Sequence, residues 1–482
     1  MKRYFLGLIC LLYAVVLSCS KDKGNYDLTP INEIKIEAKV KDTITVFQFE
    51  TLQITPTLQQ TIEQDERKLT YQWSIYQYPN SSGNKAVLGH EKNLNAAINV
   101  NPGKYTILYT VKDSETGVSF FKEFYTEVNT KLSEGWLALE NQPGGKQDLA
   151  IINSSEEVIH ELYKGANAGE LLPAGSYAIR VLNTYLGRQS MFVLAKNNGV
   201  EVDYVSLKKF NELNSWFFVP PTVINLENYF YNKFGVAGYI VNDGELYSLS
   251  FANQGPEKFG APIKGDYKIS KFAMPLTNND FTILYDTKNQ RFLNHAAAKI
   301  TTFSSPAGSA FDLNNVGKQL IYSGVSIGEY YNCIMKNNTD DQYYVYRINT
   351  TGAIIAAEKY DIEDAPFLNN ANLFTSSGLY LHIYYAVNNK IYLLDIPAKK
   401  ARLVYTFPTG AEITALELKQ AQSILISYPD NNKQLAVATF ENNEGKIYKF
   451  SISNTGDFVN GTFSKEYRGF NKVIDLEYKN RK

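Results

Sequence analysis

The residue with the most definite chemistry in this sequence is Cys19. It follows a positive start at Lys2 and Arg3, an apolar run from Tyr4 to Leu17, and the small residue Ser18. A run of about 14 residues has the length of an export leader's apolar core and falls short of the roughly 20 needed to span a bilayer. A small residue before a cysteine suits cleavage between the two. The thiolate left at the new N-terminus is the nucleophile that accepts a diacylglyceryl group. Two or more acyl chains would then hold the chain at a membrane, because each buried methylene contributes about 0.8 kcal/mol. The sequence therefore predicts a leader over residues 1–18, lipidation at Cys19 and a polar tether over residues 19–30.

Other reactive side chains form no recognisable constellation. His90, His160, His295 and His382 are scattered one per region, as surface or turn histidines would be, and no pair has the i, i+4 spacing of a zinc-binding helix. Cys10 would leave with the leader and Cys19 would carry lipid. Cys333 then stands alone as a small buried hydrophobe, so no intrachain disulfide is expected. The acidic pairs Asp340-Asp341 and Glu363-Asp364 read as solvated loops, and Asp430-Asn431-Asn432 reads as a hairpin turn. No phosphate-binding glycine loop and no Gly-x-Ser-x-Gly elbow occur. No cofactor, metal or catalytic residue is assigned.

Aromatic residues offer the binding candidates. Trp216-Phe217-Phe218-Val219-Pro220-Pro221 and Tyr229-Phe230-Tyr231 fall in a long connection between two hairpins. Consecutive aromatics cannot all face one side of a strand, so some are expected at the surface, where a flat ring can stack on a sugar or anchor a partner. Trp216, Tyr229 and Tyr231 are the candidate ligand-binding residues. The competing role for them is packing between neighbouring sheets.

These side chains must be positioned by strands. A net charge of −1 leaves no electrostatic footprint for nucleic acid, and about 460 residues after the leader suffice for two or three domains. With 35 tyrosines and 27 phenylalanines in short runs between Asn- and Gly-rich turns, the chain reads as all-β. Over residues 31–129, alternating runs occur at Glu33–Glu37, Leu52–Pro56 and Leu69–Tyr76, and Trp73 is placed as a core plug. Over residues 130–482, a strand–turn–strand unit begins near Trp136, Met191, Gly238, Phe281, Tyr331, Leu381 and Leu435. Starts about 50 residues apart have the period of a β-propeller blade, which predicts about seven blades. Lys472–Lys479 alternates like Ile413–Lys419 but has no hairpin after it, so it is expected to close the ring in the first blade. The segment Ser154 to Gly165 carries both helix-cap and strand signals, and propeller geometry favours strand.

Two stretches carry a family resemblance. Val16-Leu17-Ser18-Cys19 resembles a bacterial lipobox. Tyr71-Gln72-Trp73, paired with Pro102-Gly103-Lys104-Tyr105 and Tyr109-Thr110-Val111-Lys112-Asp113, resembles a PKD domain, an immunoglobulin-like β-sandwich. With the opening Cys19-Ser20-Lys21-Asp22-Lys23-Gly24-Asn25-Tyr26-Asp27, the chain is similar to PKD-like lipoproteins of Bacteroidetes, often encoded beside SusC/SusD-type nutrient-uptake systems. That resemblance implies an outer-membrane, lipid-anchored protein without enzymatic activity. It would serve as an accessory binding protein for a glycan or protein ligand, with a TonB-dependent transporter or SusD-like complex as partner. In such proteins an acidic run after the cysteine directs export to the cell surface; here Asp22 stands between two lysines, so either the surface or the periplasmic face is open, with the surface preferred. Two other functions fit the same architecture: a propeller hydrolase or lyase acting on a polysaccharide, and a structural envelope scaffold.

Overall fold

The computed structural model describes residues 31–480, apart from residues 42, 49, 63–64, 80–84, 233, 252–254, 277–280, 305, 354 and 422–427. The leader, Cys19 and the tether lie outside the described residues. The chain divides into two compact units, Met1–Asn129 and Thr130–Lys482.

In the first unit, alternating strands bury one face each. A five-stranded sheet runs in the order Thr43–Phe47, Ser119–Asn129, Gly103–Asp113, Leu69–Gln77, Ala86–Gly89. Thr43–Phe47 pairs parallel to the chain at Tyr125–Asn129, and the remaining pairs are antiparallel. Two short ladders, Ile34–Ala38 with Pro56–Gln60 and Thr51–Ile54 with Leu94–Ala97, supply further residues to the same core. Trp73 is fully buried, stacks on Tyr109 with ring centroids 4.1 Å apart, and donates its indole N–H to Glu91 O at 3.0 Å. The Tyr-x-Trp pattern thus marks the centre of a β-sandwich.

Among the described residues, the second unit holds seven antiparallel sheets. Blade 2 is typical: Ser176–Asn183, Gln189–Ala195, Asn198–Val202 and Lys209–Glu212, hydrogen-bonded in chain order. Blades 4, 5, 6 and 7 repeat this from Ile269, Gln319, Leu373 and Glu412, and blade 3 has three described strands, Leu226–Tyr231, Ala237–Asn242 and Glu245–Ser250. Blade 1 differs in connectivity. Its strands Gly135–Gln142, Lys146–Asn153 and Val158–Ile159 are completed by Lys472–Lys479 from the end of the chain. The first strands of blades 2 to 7 and Lys472–Lys479 touch one another in ring order, so the sheets close around an axis as a seven-bladed propeller.

The recurring unit in the sequence corresponds to one part of each blade. Trp136, Met191, Gly238, Tyr331 and Leu435 lie in the second strands of blades 1, 2, 3, 5 and 7, and Phe281 and Leu381 immediately precede those of blades 4 and 6. Second strands are covered on both faces by neighbouring blades, which accounts for runs such as Thr282–Asp286 in which every residue is buried.

The closure is held by more than its ladder. Trp136 donates its indole N–H to Gln434 Oε1 of blade 7 at 2.9 Å and packs edge-on against Tyr478. Buried Glu140 accepts the backbone N–H of Asn471 at 2.8 Å and lies 3.2 Å from His160 Nδ1, an interaction that raises the His160 pKa. Gly445 passes the carbonyl of Asn471 so closely that any Cβ there would collide with backbone.

Two expectations need correction. The segment after Ser154 is only briefly a strand, Val158–Ile159, and then forms the helix Leu162–Ala166. Buried Asp148 decides this: its carboxylate accepts the N–H groups of Tyr163 at 2.9 Å and Lys164 at 3.3 Å, satisfying the orphan donors of a first helical turn. His295 is neither a surface nor a turn residue. It sits buried in the third strand of blade 4 and packs edge-on against Tyr239 of blade 3.

Candidate functional site: the axial channel

The innermost strands of a propeller alternate between facing a neighbouring blade and facing the axis. Where the axis-facing residues leave space, a cavity results. Here that cavity has a volume of about 330 Å³ and draws its walls from the inner strands of blades 1 to 7. Adjacent inner strands are laced by polar contacts. Asp475 Oδ2 of blade 1 accepts the N–H of Ile179 of blade 2 at 2.7 Å, and Arg180 Nε donates to Asn228 Oδ1 of blade 3 at 3.0 Å. Asn228 in turn donates to Lys271 O of blade 4 at 2.8 Å. Tyr331, in the second strand of blade 5, donates to Pro275 O of blade 4, and Gln420, just after the inner strand of blade 7, donates to Ser376 O of blade 6. Lys472 and Glu412 pair at 2.8 Å across the blade 7 to blade 1 junction.

The lining is segregated by chemistry around the ring. Blades 7 and 1 contribute the carboxylates Glu417 and Glu477, with Asp475 beside them. Burial, followed by the negative charges of Glu477 and Asp475, pushes the Glu417 carboxyl well above the usual range. Burial likewise raises Asp475, opposed by the Arg180 guanidinium 3.5 Å away. Blades 2 and 3 contribute Arg180 and Asn228, and blades 5 and 6 contribute Tyr322 and Phe374, whose rings stack at 5.3 Å. A cavity lined by aromatic rings together with carboxyl and amide groups can hold a ligand that has both an apolar surface and hydroxyl or amide groups.

Of the aromatic candidates, the structure brings Tyr231 and Tyr229 to this cavity and leaves Trp216 out of it. Tyr231 donates its hydroxyl to Val181 O at 2.8 Å and so ties blade 3 to blade 2. Tyr229 and Trp216 are buried among Phe192, Phe217 and Phe259, where they fill the space between blades 2 and 3. The exposed members of the first run are Phe218, Val219 and Pro220. The channel carboxylates escaped sequence reasoning, although a signal exists: Glu417, Asp475 and Glu477 are acidic members of the two alternating runs, Ile413–Lys419 and Lys472–Lys479, already recognised as strands. Among the described residues, no three His, Cys, Asp or Glu side chains gather as a metal site would require. Cys333 is fully buried, and burial pushes its thiol up to about 12.

Sandwich and propeller together define the class: an all-β chain with an immunoglobulin-like module ahead of a seven-bladed propeller. Residues 19–176 match the model of the PKD-like family, a span that starts at Cys19, covers the sandwich and three strands of the first blade, and ends at Ser176, where blade 2 begins. Among curated proteins, none is similar in sequence at a significant level. Among solved structures, the chain is similar to a quinonprotein alcohol dehydrogenase-like protein from Bacteroides thetaiotaomicron, at 16% identity over 94% of this chain and 100% of that one, with a TM-score of 0.48. It is also similar to the WD40 domain of SCAP from fission yeast, at 10% identity over 61% of this chain and 74% of that one, with a TM-score of 0.36. A third similarity is to the Nup133 β-propeller domain of Vanderwaltozyma polyspora, at 12% identity over 64% and 94%, with a TM-score of 0.33. The propeller assignment rests on the strand order of the chain itself.

Proposed function

We propose that this protein is a lipid-anchored accessory binding protein of the outer membrane, which holds a glycan or peptide ligand in its axial channel for a SusC/SusD-type uptake complex. The observation that carries the binding role is the channel lining, in which the stacked Tyr322 and Phe374 share one cavity with Glu417, Glu477 and Arg180. The anchor is supported by the lipobox-like Val16-Leu17-Ser18-Cys19 and by a family match that starts at residue 19. The sandwich then serves as a spacer between lipid and propeller. Surface display is preferred over the periplasmic face.

A second reading has its own support. Three carboxylates with a raised pKa at Glu417 are also what a polysaccharide-active enzyme would place at a propeller axis. One experiment separates the two. The full-length protein, tagged at its C-terminus and extracted from native membranes, is expected to co-purify with a TonB-dependent transporter. A Cys19→Ala variant should lose membrane attachment and that partner together. A transporter-free protein that depolymerises polysaccharide would replace this reading with the enzyme, and a Cys19→Ala variant that stays in the membrane would remove the anchor.

A further inference from the structure

Charge is unevenly distributed around the axial channel. Among the described residues, its lining carries two carboxylates, Glu417 and Glu477, and one cation, Arg180. Arg180 is already committed: it donates to Ile179 O at 2.6 Å and Asn228 Oδ1 at 3.0 Å, and lies 3.5 Å from Asp475. Glu417 is half-buried on the channel wall, between the buried Leu416 and Leu418. No lysine or arginine among the described residues pairs with its carboxylate at salt-bridge distance. The charges that act on it most strongly are Glu477 and Asp475, both negative, ahead of Arg180. A cation entering the channel would relieve that repulsion, and an anion would add to it.

The aromatic wall favours an organic cation. Tyr322 stacks on Phe374 with ring centroids 5.3 Å apart and meets Phe272 edge-on at 5.8 Å. Gly324 keeps room for this ring, because any Cβ there would collide with the Tyr322 hydroxyl. Glu417 is the charge that acts on Tyr322 most strongly, so carboxylate and rings belong to one neighbourhood. Aromatic faces attract an ammonium within about 6 Å of the ring centre. A protonated primary amine also has three N–H donors, so it can bond a carboxylate while it rests on a ring. A metal ion fits less well: among the described residues, no three acidic, His or Cys side chains gather closely enough to ligate one. A cavity of about 330 Å³ has room for the amine together with part of a sugar or short peptide.

We infer that the axial channel selects ligands carrying a protonated primary amine, bound by Glu417 and the rings of Tyr322 and Phe374. This deepens the channel reading of the proposed function and rests on it. Two sources present that group, an unacetylated amino sugar and a peptide, and the test separates them. Full-length protein is titrated calorimetrically with a glucosamine trisaccharide and its N-acetylated form, and with trialanine amide and its N-acetyl form. In at least one pair the free amine should bind about tenfold more tightly than its acetylated partner, and that pair identifies the source. Glu417→Gln keeps the shape of the side chain and should cut the preference to about twofold or less. Phe374→Leu should lower the affinity of the amine about threefold. Acetylated forms that bind as tightly as the amines would overturn the amine preference and leave the channel standing as a binding site. A preference that survives both substitutions would place the amine outside the channel and remove the channel reading as well. Binding by none of the four compounds would also overturn the inference.

Discussion

Deleting residues 471–482 should unfold the propeller while the sandwich keeps its own transition. The lost segment contains the inner strand of blade 1 and its buried residues Val473, Leu476 and Tyr478. At about 1.5–3 kcal/mol for each buried side chain, the loss is on the order of 5–9 kcal/mol, comparable with the whole stability of a typical domain. It also removes Asn471 and Tyr478 from their contacts with Glu140 and Trp136, and leaves the edge of Gly135–Gln142 unpaired. Calorimetry of the truncated chain should show only the transition of residues 31–129, with the remainder aggregating. A propeller transition within a few degrees of the full-length value would show that the ring does not depend on this strand.

Replacing Lys479 by Met should stabilise the protein at neutral pH and flatten its pH dependence. Lys479 is fully buried in the closing strand, where it donates to Leu132 O at 2.6 Å and lies 4.6 Å from the Tyr204 ring centre. Burial lowers its pKa to about 7, against partial compensation from Asp203. In the unfolded chain the same group titrates at about 10.4, so between about pH 7 and pH 10 the unfolded state binds more protons than the folded one. Stability therefore rises with pH across that window, by up to about 1.4 kcal/mol per pH unit, and the whole penalty applies below it. Met removes the charge but leaves the Leu132 carbonyl unmatched, so a net gain of about 1–3 kcal/mol is expected at pH 7. Denaturant unfolding at several pH values checks both points. Wild-type stability that is flat from pH 7 to pH 10, or a variant less stable than wild type at pH 7, would contradict the charge penalty.

Sequence and structure agree best where burial is two-sided. The second and third strands of each blade lie between neighbouring blades, so stretches such as Thr282–Asp286 and Ile391–Leu394 are uninterrupted by exposed residues and stand out. Inner strands line the channel and carry small or polar residues, as at Ser323-Gly324 and Thr375-Ser376, which read like loops. Only Ile413–Lys419 and Lys472–Lys479 kept enough alternation to be seen. The channel was illegible for a different reason. Asp475 meets Ile179 across 296 positions of sequence, a proximity that exists only because the ring closes. Sequence does not encode such neighbours locally, and without them Glu417, Glu477 and Arg180 are three unrelated charges. Aromatic density misled in a related way: Trp216 and Tyr229 do line a cavity, but as parts of an interblade core, with Phe210 supplying the exposed ring.

The most direct test of the account is to measure binding and turnover together at the axial channel. Purified full-length protein is titrated calorimetrically with a panel of soluble polysaccharides and peptides, and the same mixtures are assayed for chain cleavage. Wild type should bind at least one ligand saturably without releasing product. Glu417→Gln and Tyr322→Ala should each weaken that binding by about tenfold or more, roughly 1.4 kcal/mol. Cleavage products that disappear with Glu417→Gln, or binding untouched by both substitutions, would contradict a channel that holds its ligand without transforming it.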